Sequence, residues 1–204
     1  MPFVPTISGA ALILTLTLSL GAQPPYKFRT TVVGEPLYTF GTTVAANSGF
    51  RGEIYPIDPG SRKLPNFSKL KPVGTIYTPS LCVPARSFDE GFPGITGRFE
   101  WFAIDYTGRF WISEPGTYRF ALASDDGSIF YIDDKIVIDN DKQHPVIEKE
   151  GKVKLKVGVH RIRVSYFQGP RDSVALVLGV ARPGEEQWRI FNTREFLPPR
   201  KPEN

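Results

Sequence analysis

The sequence contains few of the residues on which disulfide-stabilised or zinc-binding proteins depend. Of its 204 residues, one is cysteine and two are histidine. A lone Cys82 cannot form an intramolecular disulfide, and its apolar neighbours favour a small buried side chain over a reactive thiol. Two histidines do not supply a histidine-rich zinc site. The hydrophobic core must therefore stabilise the fold.

Charged side chains are absent from residues 1–22, which form an apolar stretch running into Leu20-Gly21-Ala22. This pattern is typical of a secretory signal peptide that is cleaved after Ala22, with uncleaved membrane anchoring as the alternative. The apolar run is short for a membrane span, so we expect no stable span after cleavage. The sequence thus predicts a secreted, periplasmic or cell-surface protein whose net charge of +4 lies in the mature part.

Helical periodicity is nearly absent, whereas short runs of β-branched and aromatic residues recur between Gly- and Pro-containing turns. This alternation predicts an all-β, antiparallel β-barrel or sandwich. From residue 99 onward we expect three strands, divided by turns at Thr107-Gly108 and at Glu114-Pro115-Gly116. Residues 23–48 are predicted to form an extended lead-in or extra strands, residues 49–192 the β-domain, and residues 193–204 a Pro-rich tail.

Two acidic pairs lie at predicted turns. The first, in Asp125-Asp126-Gly127-Ser128, stands between apolar runs, where Asp-Gly is a strong hairpin signal. The second, Asp133-Asp134, predicts a tight hairpin between Ile129–Ile132 and Ile136–Ile138. The later run Asp139-Asn140-Asp141 lacks the Gly and the closing Glu of an EF-hand, so we reject that motif.

Basic residues alternate with apolar ones over residues 152–164, which predicts one basic face on the sheet. The apolar residues expected to point inward are Val153, Leu155, Val157, Ile162 and Val164. A basic face can attract phosphate or sulfate. Because Glu148, Glu150 and Asp172 dilute the charge and no nucleic-acid motif accompanies it, we expect a solvated face and no nucleic-acid partner.

Several segments, in their order and spacing, resemble the protective-antigen-14 domain family, a β-barrel module of bacterial toxins, some glycosidases and fungal adhesins. The resemblance covers roughly residues 49–181. The matching segments are Gly116-Thr117-Tyr118-Arg119-Phe120, Ser124-Asp125-Asp126-Gly127-Ser128, Tyr131-Ile132-Asp133-Asp134, Val137-Ile138-Asp139, His144, Gly158-Val159-His160 and Val164–Gly169.

The resemblance implies a calcium site at Asp125 and Asp126. In sugar-binding members of the family, two consecutive aspartates bind the ion through a cis peptide, and the ion ligates sugar hydroxyls. A cis bond turns both carboxylates to one side, whereas regular strand geometry would point them to opposite faces. Gln168 falls about where the family has an asparagine ligand. The carbonyls of Pro170 and Asp172 are the implied backbone ligands, and the Arg171 or Asp172 side chain is expected to contact the sugar.

The leading hypothesis is a secreted, non-catalytic carbohydrate-binding module that uses Ca²⁺ and takes a glycan or polysaccharide as its partner. The alternative is a structural or protein-interaction domain of a secreted or cell-surface assembly, without sugar binding. A glycosidase needs two carboxyl groups about 5 to 10 Å apart across a cleft, which adjacent aspartates on one ion do not provide. Nothing in the spacing of Asp89, Glu100 and Asp105 singles them out, so we expect no enzyme activity.

Overall fold

A computed structural model describes residues 49–95 and 100–199. The predicted signal peptide and lead-in, residues 1–48, lie outside the described residues. The strands are β1 Gly49–Pro56, β2 Gly74–Thr78, β3 Cys82–Ser87, β4 Phe102–Ile112, β5 Gly116–Asp125, β6 Ser128–Ile132, β7 Lys135–Asn140, β8 Ile147–Leu155, β9 Gly158–Gln168, β10 Ser173–Ala181 and β11 Arg189–Ile190. Short 3-10 turns occur at Phe67–Lys69, Phe88–Glu90 and Thr193–Glu195. The all-β prediction is confirmed.

The strands form two antiparallel sheets that pack face to face as a sandwich. The larger sheet has the order β2-β1-β4-β9-β6-β7, and the smaller has the order β11-β10-β5-β8, with β3 also paired to β10. Alternate residues of each sheet face the space between them, because successive side chains of a strand point to opposite sides. Aromatic residues dominate this core, including Tyr106, Tyr166, Phe50, Phe102, Phe120, Phe130 and Phe191.

The predicted turn at Thr107-Gly108 is wrong, because β4 continues through both residues from Phe102 to Ile112. Gly108 lies in the middle of the sheet, opposite Phe50 of β1 and Ile162 of β9. A Cβ atom there would lie 2.7 Å from the carbonyl oxygen of Gly49, so glycine permits a close approach of two backbones. The glycine marks tight strand packing and no turn.

Two other turn predictions are confirmed. The chain turns before Gly116, where β5 begins, and β6 and β7 form a hairpin around Asp133-Asp134. Both aspartates have positive φ, 49° and 64°, as a two-residue hairpin turn requires. The Asp133 carboxylate accepts hydrogen bonds from the His160 ring and the Arg161 main-chain N–H.

The predicted basic face is divided between the two sheets, because β8 belongs to the smaller sheet and β9 to the larger. Leu155, Ile162 and Val164 are buried as expected, and Val153 is half-buried. Val157 lies in the connection between the strands and is 55% exposed, so its inward placement is wrong. The lysines of β8 and the arginines of β9 therefore lie on different surfaces of the sandwich.

Ordered structure continues past residue 192, where the tail was predicted to begin. Thr193–Glu195 form a 3-10 turn, and Phe196 packs into the core at 6% exposure. Its ring stacks on Phe191 at 5.0 Å. Over residues 49–95 and 100–199, no helix is long and apolar enough to cross a membrane.

Candidate metal and carbohydrate site

The first acidic turn carries the chain from one sheet to the other. Strand β5 ends at Asp125 within the smaller sheet, and β6 begins at Ser128 within the larger one. The hairpin interpretation of this turn is therefore wrong. Gly127 does not have positive φ. A Cβ atom at this position would lie 2.5 Å from Phe167 Cε1 and 2.7 Å from the Lys142 carbonyl oxygen, so close packing excludes a side chain there.

Asp125 and Asp126 are joined by a cis peptide bond, the form that the family resemblance implies. The two residues are 5% and 4% exposed. Asp125 Oδ2 accepts a hydrogen bond from the Ser173 hydroxyl at 2.5 Å. Asp126 accepts main-chain hydrogen bonds from His144 at 3.1 Å and from Gly169 at 2.7 Å. The β7–β8 and β9–β10 loops thus hold the Asp126 carboxylate, and the first residue of β10 holds that of Asp125.

The environment disfavours negative charge on both carboxyl groups. Burial raises the pKa of Asp125 to about 6, with a further rise from the charge on Asp126, although the Ser173 hydrogen bond acts in the opposite direction. Burial likewise raises the pKa of Asp126. Within the described part of the chain, neither carboxylate forms an ion pair with Lys or Arg. A hard cation that prefers oxygen ligands would offset this charge, so the pair fits Ca²⁺.

The fold brings Gln168 next to the aspartate pair and buries it completely. Its Oε1 atom lies 2.5 Å from the Tyr166 hydroxyl, which also lies 2.7 Å from the Asp125 carbonyl oxygen. Its Nε2 atom donates to the Ser173 carbonyl at 3.1 Å. An amide oxygen has two lone pairs, so one remains after the tyrosine contact. The Tyr166 hydroxyl thus lies within hydrogen-bond distance of both Gln168 and the Asp125 main chain.

Arg171 and Asp172 lie at the exposed rim of the β9–β10 loop. The Arg171 guanidinium is 2.7 Å from Asp89 and lies over the Phe88 ring at 5.4 Å. The Asp172 carbonyl, one of the implied calcium ligands, accepts the Phe88 main-chain N–H at 3.1 Å. The loop is therefore anchored to the Phe88–Glu90 turn, while Gly169 at its start and Ser173 just after it contact the aspartate pair.

Sequence reasoning missed the groups that orient the carboxylates. Ser173 lies 48 residues from Asp125 along the chain, and the Gly169 N–H belongs to the loop that precedes Ser173. Behind the pair, Asn140 Nδ2 donates to Ser124 Oγ at 3.1 Å, and Ser124 and Ser128 share a hydrogen bond of 2.7 Å. Of these residues, only His144 stood out in the sequence apart from the acidic turn itself, because it is one of the positions that match the family. In the ranges that the structure describes, no group of three or more His, Cys, Asp or Glu residues is arranged for a metal.

Comparison with solved structures shows several similar folds. The PA14 domain of an antifreeze protein aligns over 72% of this chain and 88% of its own, with 18% identity and a TM-score of 0.60. The PA14 sugar-binding domain of an RTX adhesin aligns over 73% and 97%, with 18% identity and a TM-score of 0.59. The A domain of Epithelial Adhesin 9 from Candida glabrata, solved with Galβ1-3GlcNAc, aligns over 74% and 88%, with 17% identity and a TM-score of 0.53.

An anti-sigma factor domain-containing protein also shares the fold, at 22% identity and a TM-score of 0.59. The alignment covers 78% of this chain but only 50% of that protein, so this chain spans about half its length. Among curated proteins, no match was found. The PA14 domain family matches residues 87–190, which is more than half of the sequence and includes the aspartate pair and the β9–β10 loop. The chain therefore belongs to the PA14 domain family, the protective-antigen-14 domain that its sequence resembles.

Proposed function

We propose that this protein is a secreted, non-catalytic carbohydrate-binding module that binds glycan through a calcium ion at Asp125 and Asp126. The principal observation is that two adjacent, nearly buried carboxylates lie together without an ion pair to Lys or Arg among the described residues. The similarity to a sugar-binding PA14 domain and to an adhesin solved with a disaccharide supports the proposal.

The residues divide into an inner and an outer group. Asp125 and Asp126 would hold the ion, with Gln168 contributing the free lone pair of its amide oxygen. Bound calcium supplies open coordination positions for oxygen ligands such as sugar hydroxyls. Arg171 and Asp172, on the exposed rim, would contact the sugar beyond the ion and so set the choice of glycan. Ser173, Gly169 and His144 position the two carboxylates through the hydrogen bonds described above.

Thermal unfolding with calcium and with chelator tests the metal site. At about one hundred times its dissociation constant, a ligand bound only by the folded state stabilises it by about 2.7 kcal/mol. We expect calcium to raise the unfolding midpoint of the wild-type protein but not that of Asp125→Asn/Asp126→Asn. The matched control is Asp133→Asn/Asp134→Asn, which changes another adjacent pair in an exposed hairpin turn and should retain the calcium response.

A glycan screen with and without calcium then tests the sugar. Calcium-dependent binding that the Asp125→Asn/Asp126→Asn variant loses would support the proposal. A wild-type protein that shows no response to calcium and binds no glycan would reject it in favour of the alternative, a structural or protein-interaction domain. Turnover of a glycoside that disappears with one carboxylate variant would show instead that the domain is catalytic.

A further inference from the structure

Four arginines cluster on the outer face of the larger sheet, far from the aspartate pair. Arg51 is on β1, Arg109 on β4, and Arg161 and Arg163 on β9, three strands that are neighbours in the sheet. Arg51 and Arg163 both lie opposite Thr107 of β4, while Arg161 lies opposite Arg109. We call these four residues the arginine face.

Three members of the arginine face are paired with a carboxylate, whereas Arg109 is left without an ion pair among the described residues. Arg51 pairs with Glu53 at 2.8 Å, Arg163 pairs with Asp105 at 2.7 Å, and Arg161 pairs with Asp134. Arg109 is exposed and has no ion pair within the described residues. It is also directly opposite Arg161, and like charges directly opposite each other on antiparallel strands destabilise a sheet.

Another opposed basic pair, Arg119 and Lys152, differs in its surroundings. Arg119 donates to the carbonyl oxygen of Glu185 at 2.7 Å and lies over the Trp188 ring at 5.0 Å. Its charge is therefore directed toward partners in the same chain. At Arg109 the opposed like charge has a cost in stability, and the described residues supply no ion pair to Arg109 that offsets it, which is the pattern expected where a side chain is kept for a ligand.

We propose that the arginine face binds an anionic polysaccharide, one with spaced carboxylate or sulfate groups, and does so without calcium. A planar guanidinium group matches a carboxylate or sulfate through two parallel hydrogen bonds. The Arg163 group is held in advance, since it lies 5.2 Å from the Tyr131 ring centre and 5.8 Å from that of Phe67. Arg51 and Arg163 are two strand spacings apart, or roughly 10 Å, which suits an extended ligand lying across the strands.

The acidic residues within the face distinguish among possible polyanions. Glu53, Asp105 and Asp134 lie between or beside the arginines, so evenly dense negative charge would meet repulsion. Duplex DNA carries one charge per about 1.7 Å, whereas a polysaccharide can carry one per repeat unit. A peptide that adds a strand needs a free sheet edge, and β1, β4 and β9 are each paired on both sides.

The arginine face and the calcium site are separate along the strands. In β4, Phe102 lies opposite Gln168 at the calcium end, and Arg109 follows seven residues later, or about 23 Å away. Binding at the arginine face is therefore independent of the proposed function, and the two can fail separately.

Binding of polygalacturonate and heparin, measured in chelator by titration calorimetry, tests this proposal. Dextran serves as a neutral control and duplex DNA as a densely charged one. We expect binding at about 0.1 M salt that is lost near 1 M, as the Debye length falls from about 10 Å to about 3 Å. Arg109→Gln/Arg161→Gln should bind roughly tenfold more weakly. Lys152→Gln/Lys154→Gln removes the same charge from the smaller sheet and should bind like the wild type.

Stability gives a second readout. Arg109→Gln alone should raise the unfolding midpoint by about 1 to 3 °C, because it removes the repulsion with Arg161. The proposal is overturned if neither anionic polysaccharide binds, if the lysine variant loses as much affinity as the arginine variant, or if DNA binds equally well. It is also overturned if binding disappears in chelator or in Asp125→Asn/Asp126→Asn, since the anion would then bind at the calcium site.

Discussion

Two core tyrosines, Tyr106 and Tyr166, offer a matched test of the hydrogen bonding behind the aspartate pair. Both have no exposed surface, and they lie on the neighbouring strands β4 and β9. The Tyr166 hydroxyl lies within hydrogen-bond distance of the Asp125 carbonyl and of Gln168 Oε1. The Tyr106 hydroxyl has no hydrogen-bond partner among the described residues. The same substitution, to phenylalanine, should therefore have opposite effects at the two positions.

Tyr166→Phe keeps the ring that stacks on Phe92 at 5.2 Å but removes the donor. A buried polar group left unsatisfied costs about 1 to 3 kcal/mol, so we expect the free energy of unfolding to fall by that amount. Tyr106→Phe removes a hydroxyl whose burial is not offset by a hydrogen bond. We expect the free energy of unfolding to stay the same or to rise by up to about 2 kcal/mol.

Urea denaturation followed by tryptophan fluorescence measures both changes, with an unchanged slope as the sign that the unfolding transition is the same. Burial raises the pKa of both phenols, so both remain protonated at neutral pH. Calcium titration adds a functional readout: Tyr166→Phe should weaken binding because Asp125 and Gln168 lose their common contact, while Tyr106→Phe should leave it unchanged. Equal losses of stability in the two variants would refute the reasoning.

Two further predictions concern the aspartate pair itself. Burial raises the pKa of Asp125 from 3.8 to about 6. Above pH 6 the ionised carboxylate therefore lowers the free energy of unfolding of the metal-free protein by up to about 3 kcal/mol. This loss of stability disappears as the pH falls toward 4 and the carboxylate becomes protonated. In chelator, Asp125→Asn should thus have a higher free energy of unfolding than the wild type, and the difference should shrink between pH 7 and pH 5. A difference that is independent of pH would contradict the raised pKa of Asp125. Gly127→Ala should lower the free energy of unfolding by about 1 to 3 kcal/mol and weaken calcium binding in the same titration, because its Cβ would lie 2.5 Å from Phe167 Cε1. A variant as stable as the wild type would show that the turn moves to accommodate the methyl group.

The sequence was sufficient to predict the elements whose signals are local. Alternating residues predicted β8 and β9, and the Asp133-Asp134 pair predicted the hairpin between β6 and β7. These features depend on side-chain periodicity and on the tolerance of aspartate for positive φ, both of which act within a few residues.

Glycine was the least reliable signal, because it has two different physical uses. Gly108 and Gly127 both follow residues typical of turns, and both were interpreted as turn glycines. In the structure, neither has positive φ, and each makes room for a neighbouring group: the Gly49 carbonyl at Gly108 and the Phe167 ring at Gly127. Close packing between distant segments leaves no pattern in the local sequence, so the two uses could not be separated without the fold.

The candidate site depends on the same long-range information. The acidic pair itself was identifiable, but its chemistry is determined by which strands lie beside β5. The pairing of β5 with β10 places Ala175 opposite Asp125 and thereby brings Ser173 within 2.5 Å of the Asp125 carboxylate. A shift of one residue in this register would turn alternate side chains to the other face and separate these groups. The local sequence therefore specifies the acidic residues, whereas the pairing of strands distant in sequence determines that they are buried and oriented together.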